Sequence, residues 1–255
     1  MDNICILPED GSFLEKATKL AKEIGLPLVS EAKEAADFFV IVGTKGIGLK
    51  KSESKDLPVY VDFNSEEMNY RRKKGGGKNQ DLAKAVGLKN LKNPHVIDAT
   101  AGLGRDAFIL ASLGAQVEMV ERNKVIHAML SDGIARACEV ADISEIVGRL
   151  SLYSGDAYEF LKNYNGKADV VYLDPMFPHR EKSALVKKEM QTFQKIIGED
   201  LDADKLLEAA IAKAKYRVVI KRPRLAPSLA DKEPDFSITG KANRFDVYVN
   251  MGIGK

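Results

Sequence analysis

At 255 residues with 45% apolar side chains, the chain is long enough for one large domain, or for a catalytic domain with a smaller appendage around a real core. Its 39 basic and 37 acidic residues nearly cancel, so bulk charge makes no case for nucleic acid, and any such case must come from clustering. Two cysteines, Cys5 and Cys138, far apart and outside any zinc-type spacing, point away from a disulfide scaffold and toward a reducing compartment. No apolar run reaches the roughly 18 residues of a membrane span, and Asp2 stands where a signal peptide carries basic charge, so the expected location is the cytoplasm.

The first residues read as a small α/β unit: a strand over Ile4 to Leu7, a helix over Phe13 to Ile24, and apolar strands over Phe38 to Val42 and Val59 to Phe63. Nothing in this unit, taken as 1–69, looks like chemistry. Between Tyr70 and Lys92 eight Lys or Arg residues face one acid, and three glycines follow one another from Gly75, which marks 70–93 as a basic Gly-rich linker. From 94 to 255 strands and helices alternate. Strands are expected at His95 to Asp98, Gln116 to Glu121, Leu150 to Tyr153, Val170 to Leu173 and Arg217 to Ile220, with helices over Asp106 to Leu113, Lys124 to Ala137 and Lys205 to Lys215. Such alternation implies a doubly wound, mostly parallel sheet with ligands at the carboxyl ends of its strands. Phe245 to Asn250 follows Arg217 to Ile220 across a polar loop, which suggests an antiparallel final strand.

The run from Val96 through Asp98, Gly102, Gly104, Arg105 and Asp106 to Phe108 is a strand, a tight glycine turn and a helix start. Gly102, Gly104 and Ala107 also satisfy the glycine pattern of dinucleotide-binding domains. Glu121, about 20 residues on, ends the second strand and suits two ribose hydroxyls in either a nicotinamide cofactor or S-adenosylmethionine (SAM). Asp98 and Asp106 decide between them: two carboxylates around the turn suit an ammonium group and oppose a pyrophosphate. Asp156, after the third strand, suits the adenine amino group, and equally suits the N-cap of a helix over Ala157 to Leu161.

The fourth strand runs into Asp174-Pro175-Met176-Phe177-Pro178, a loop stiffened by two prolines at the cofactor edge. Methyl transfer from a sulfonium needs alignment more than acid or base, and an exocyclic amine is a poor nucleophile. The Asp174 carboxylate and the Pro175 carbonyl are candidates to accept its two N–H groups, with Phe177 stacked on the base. The alternative is a strand-ending turn with Asp174 as a cap and Phe177 in the core. The three histidines, His95, His127 and His179, have no metal or triad spacing, so no metal is expected. Arg71, Arg72, Lys73, Lys74 and Lys78 form a basic stretch without a phosphate-loop pattern. With Lys182, Lys187, Lys188, Lys221, Arg222 and Arg224 they suggest an RNA groove beside the site, each run being also compatible with a solvated face.

With these residues assembled, the sequence resembles the ribosomal RNA small subunit methyltransferase J family. The stretches that carry the resemblance are Arg71 to Gly77, Asp98 to Ala107, Glu121 to Asn123, Tyr172 to Pro178, Lys182 to Met190 and Lys221 to Pro223. It implies a class I SAM-dependent methyltransferase of Rossmann-like fold, α/β with a seven-stranded sheet and a small N-terminal α/β unit. The implied reaction is methylation of the N2 amine of a guanine in small-subunit (16S) rRNA, the partner being that rRNA or the assembled small subunit. By the same resemblance Arg105, Asp106, Glu121, Arg122, Asp156, Ala157 and Asp174 contact SAM. Met176 stands where the broader amine-methyltransferase signature has a second proline, and the region before residue 65 resembles the family less distinctly. Two other readings stay open on the residues alone: a nicotinamide-dependent oxidoreductase, which leaves Asp174 to Pro178 unexplained, and a non-catalytic RNA-binding protein, which leaves the acidic turn unexplained.

Overall fold

The computed structural model describes residues 3–32, 36–175 and 203–254. Its larger sheet has seven strands in the order β10-β11-β9-β8-β5-β6-β7. The parallel set is β5 (His95–Asp98), β6 (Gln116–Glu121), β7 (Leu150–Ser154), β8 (Ala168–Leu173) and β9 (Ala214–Pro223). The expected antiparallel strand is β11 (Asn243–Val249), which pairs with β9 and, on its other side, with β10 (Phe236–Thr239).

Strand alternation divides the apolar residues between two cores, one on each face of this sheet. Val96, Met119, Val170, Tyr172 and Val219 go to one side, with α4 (Arg105–Ser112) and α5 (Lys124–Cys138). Ile97, Val120, Val171, Leu173 and Ile220 go to the other, with Leu161 of α7 (Ala157–Asn163) and Leu206, Leu207 and Ala210 of α8 (Ala203–Lys213). The same period of two carries past the strand ends. Asp98, Asp174 and Lys221 therefore continue the face of Tyr172 and α4, whereas Arg222 turns to the opposite face.

The N-terminal residues form a four-stranded sheet, β1 (Ile4–Pro8), β2 (Phe38–Gly43), β3 (Gly46–Lys51) and β4 (Val59–Tyr60), with α1 (Leu14–Ile24) packed on it. The glycine-rich β3 lacks the apolar alternation that marks a strand in sequence. This sheet shares the first core with the larger one: Phe63 stacks on Phe108 at 5.0 Å between ring centroids. Asp132 of α5 fastens the join, accepting from the Ile47 backbone N–H (3.0 Å), Lys16 Nζ (2.9 Å) and Arg136 Nε (2.8 Å). The close approach explains Gly133, where a Cβ would lie 2.5 Å from Val61.

The stretch expected as a linker is largely helical. Ser65 caps α2 (Glu66–Lys74) by accepting from the Met68 N–H, two glutamates occupy the first turn and four basic residues the last, all favourable to the helix dipole. After a short 3₁₀ turn, α3 (Asp81–Val86) buries Leu82, Ala83, Ala85 and Val86 and ends on left-handed Gly87. The short helix α6 (Ser144–Val147) precedes β7. Among the described residues no helix is long and apolar enough to cross a membrane.

Candidate active site

A cleft of about 420 Å³ opens at the carboxyl ends of β5, β6, β7 and β8, a volume ordinary for a small-molecule site. Of the residues expected to hold a cofactor, Asp98, Gly102, Arg105, Asp106, Glu121, Arg122, Asp156, Ala157 and Asp174 all line it. Gly104 does not. It is the left-handed residue (φ 69°) that starts α4, and a Cβ there would meet Leu130 at 2.7 Å and Phe63 at 3.1 Å. Its role is to bring the turn close to the core; Gly102, also left-handed (φ 53°), is the glycine that faces the cleft.

The turn is tied to its neighbours by main-chain bonds. Ala99 N–H donates to the Tyr172 carbonyl and Ala101 N–H to the Val120 carbonyl, both at 3.1 Å. Glu121, buried at the end of β6, accepts from Gly102 N–H (3.0 Å, Oε2) and Asn123 N–H (2.7 Å, Oε1). These two bonds fix its rotamer at the edge of the cleft. Asp156 is the expected N-cap, its Oδ1 accepting from Glu159 N–H (3.0 Å) at the start of α7, and the residue also lines the cleft.

Around the other end of the cleft the charges are dense. Asp106, in the first turn of α4, accepts from Arg71 (2.5 Å, Oδ1), from the Tyr172 hydroxyl (2.7 Å, Oδ2) and from Lys221 Nζ (2.9 Å, Oδ2). Burial opposes its charge, but Lys221 and Arg71 prevail and hold the carboxyl below the usual range. Among the described residues Asp98 forms no ion pair: it is 2% exposed, and burial, with Asp106 nearby, pushes it well above the usual range. Burial also raises Tyr172, whose hydroxyl therefore stays a donor. Asp174 begins the loop after β8. Its N–H donates to Thr100 Oγ1 (2.5 Å) and its Oδ2 accepts from Lys221 Nζ (2.8 Å). Burial raises its carboxyl against the pull of Lys221.

This donor set fits SAM. Among the described residues buried Asp98 forms no ion pair, a place that an amino-acid ammonium suits, and the Glu121 carboxylate at the end of β6 suits ribose hydroxyls. Ala99, Leu103, Val120, Tyr158 and Leu206 give the apolar walls an adenine needs. A pyrophosphate fits poorly, because buried Asp106 occupies the first turn of the helix whose N–H groups would receive it.

The basic stretch is placed unevenly. Arg71 enters the cleft, Arg72 and Lys73 pair with Asp142 (2.5 and 3.2 Å), and Lys74 and Lys78 are exposed. Arg222 is buried and donates to the Pro227 carbonyl, and Lys221 lies inside the cleft, so neither belongs to an outer basic face. Arg224 is exposed. Phe177, Lys182, Lys187 and Lys188 lie outside the described residues; Pro175 is described and buried. Sequence reading missed Thr100, Tyr172 and the inward turn of Arg71 and Lys221. For Tyr172 and Lys221 the signal was present in the alternation of β8 and β9.

Fold and site together define a SAM-dependent methyltransferase. The family model described as "Putative SAM-dependent methyltransferase" matches residues 19–250. The solved structure of the SAM-dependent methyltransferase of Neisseria gonorrhoeae is similar with a TM-score of 0.77 at 39% identity, covering 97% of this chain and 96% of its own. The chain is 49% identical over 245 residues to ribosomal RNA small subunit methyltransferase J of Pseudomonas paraeruginosa, covering 95% of this chain and 93% of the relative. It is 50% identical over 248 residues to that of Tolumonas auensis, covering 96% and 98%. The chain belongs to the ribosomal RNA small subunit methyltransferase J family. That membership sets aside the dehydrogenase and the non-catalytic readings.

Proposed function

We propose that this protein methylates the exocyclic N2 amine of a guanine in small-subunit rRNA, in the cytoplasm, and that Asp174 and Pro175 align the amine. The observation that carries the reading is the position of Asp174. It lines the cofactor cleft at the end of β8, its Oδ2 is held by Lys221, and its Oδ1 accepts no hydrogen bond among the described residues. SAM, when bound, supplies an electrophilic methyl group.

Asp98 holds the amino-acid ammonium, Glu121 the ribose hydroxyls and Asp156 the adenine amino group. Arg105, Arg122 and Ala157 complete the cofactor walls, and Gly102 lets the ligand approach the main chain. Asp174 Oδ1 and the Pro175 carbonyl accept the two N–H groups of the guanine amine, turning its lone pair toward the methyl and stabilising the positive charge that grows on nitrogen. As the nitrogen gains the methyl it loses one proton, which Asp174 accepts and passes to water. Phe177 stacks on the flipped base.

Exposed Lys73, Lys74, Lys78 and Arg224, with Lys187 and Lys188, attract the RNA backbone, which makes binding salt-dependent. A panel of acceptors tests the reading: labelled methyl from SAM is offered to small subunits lacking the modification, naked small-subunit rRNA, tRNA and protein. Incorporation into the small subunit or its rRNA is expected; incorporation confined to tRNA or protein contradicts the substrate class.

A further inference from the structure

Lys221 sits where a surface RNA contact cannot be made. Its ammonium lies 2.8 Å from Asp174 Oδ2 and 2.9 Å from Asp106 Oδ2, inside the cofactor cleft. The position follows from the strands: Leu173 pairs with Ile220 in the parallel β8–β9 ladder, so the residues that follow, Asp174 and Lys221, lie side by side on the face of Tyr172. Asp106 is itself anchored by Arg71 and by the Tyr172 hydroxyl, which makes it a fixed post for the lysine rather than a second mobile partner. The result is a chain of contacts from α2 through α4 and β9 to the first residue of the amine-aligning loop. It ends on one oxygen of Asp174 and leaves the other for substrate.

We propose that Lys221 is the positioning residue for Asp174: clamped to Asp106, its ammonium holds Asp174 Oδ2 and keeps the carboxylate ionised, so that Oδ1 can accept the substrate amine. The inference rests on the reading of Asp174 as that acceptor.

The surrounding charges make a cation at this place necessary. The ionisable groups facing Asp174 among the described residues are Asp98 from β5, Asp106 from α4, Tyr172 from β8, Arg71 from α2 and Lys221 from β9, with Glu121 and Asp156 farther along the cleft. Three aspartates thus share two cations, and Arg71 is already committed to Asp106. Removing the charge of Lys221 leaves three carboxylates with one cation. Asp106 keeps Arg71, whereas half-buried Asp174 loses the cation that holds its Oδ2, so its carboxyl takes up a proton at higher pH. A protonated Asp174 is a poor acceptor for an amine and cannot take the proton that the methylated nitrogen must lose.

Two readouts separate this role from a structural one. In the ligand-free enzyme, carboxyl ¹³C NMR follows the ionisation of Asp174, its resonance assigned with Asp174→Asn. In single-turnover methylation of small subunits, the rate is measured against pH. In Lys221→Gln, which keeps a hydrogen bond and removes the charge, the Asp174 titration moves to higher pH. The acid limb of the rate moves with it, falling about tenfold per pH unit below the new limb. Lys221→Arg, which keeps the charge, retains the wild-type titration and profile, and decides the matter if the glutamine variant does not fold. An unchanged Asp174 titration in folded Lys221→Gln, a rate loss by the same factor at every pH, or a displaced limb in folded Lys221→Arg overturns the proposal. The NMR arm needs no substrate, so it stands even if wild-type enzyme fails to methylate small-subunit rRNA, which is the separate failure of the functional reading.

Discussion

Replacing Asp98 by Asn should make the ligand-free protein more stable and the cofactor complex weaker. Asp98 is 2% exposed, beside Asp106, and among the described residues it accepts one long bond, from Thr100 N–H at 3.3 Å. Burial, reinforced by Asp106, raises its folded-state pKa above the unfolded value of about 3.9. A carboxyl raised in this way costs nothing below the unfolded pKa and costs progressively more as pH rises through the folded pKa. Asparagine keeps the shape and removes that cost. An uncompensated buried charge is worth about 1–3 kcal/mol, and at this chain length each kcal/mol moves Tm by about 2–4 °C. The variant should therefore melt about 2–12 °C higher at pH 8 and approach wild type at about pH 3 and below, where the wild-type carboxyl is protonated in both states. The same substitution removes the charge proposed to meet the SAM ammonium. A charge-assisted bond is worth about 1.5–3 kcal/mol, so Kd should rise about 10- to 150-fold. Scanning calorimetry across pH and titration calorimetry with SAM read both effects. A ligand-free variant that is less stable at pH 8, or one that binds SAM as tightly as wild type, would refute the reasoning.

Asp174→Ala should lower kcat about 100- to 1,000-fold with folding intact, because Lys221 keeps Asp106; the check is single-turnover methylation beside a melting curve. Gly104→Ala forces a left-handed backbone on alanine and a Cβ to 2.7 Å from Leu130, so it should cost about 2–3 kcal/mol in denaturant unfolding. Asp132→Ala leaves the Ile47 N–H and Arg136 Nε without this acceptor and releases Lys16; a loss of about 3 kcal/mol is expected, read by chemical denaturation. Ser65→Ala removes the cap of α2 and should cost about 1 kcal/mol by the same measurement.

Most of the catalytic fold was readable because its strands are short apolar runs with β-branched residues, bounded by turn residues. The antiparallel β11 was expected after a polar loop, but that stretch also holds β10, whose alternating polar residues hid it from the sequence. What escaped were elements whose signal is not apolar. The strand β3 is glycine and lysine over half its length, and α2 is so polar that its composition suggested a loop, although Ser65, Glu66 and Glu67 form a regular helix start. The carboxylates that line the cleft were legible because each ends a strand or starts a helix. The ion network was not, because composition assigns Arg71, Lys221 and Arg222 to one basic surface, whereas strand alternation sends Lys221 inward beside Asp174 and Arg222 into the other core. Tyr172 read only as part of the fourth strand; that its hydroxyl reaches Asp106 depends on α4 crossing the sheet at that point.

The central claim is that Asp174 aligns a guanine amine in small-subunit rRNA for methylation. Its most direct test is nucleoside mass spectrometry of small-subunit rRNA after incubation with SAM carrying a labelled methyl group, wild-type enzyme against Asp174→Ala. The account predicts label on N2-methylguanosine with wild type and its loss with the variant. Label on a ring nitrogen, a ribose or another base, or undiminished N2 label with the variant, would contradict it.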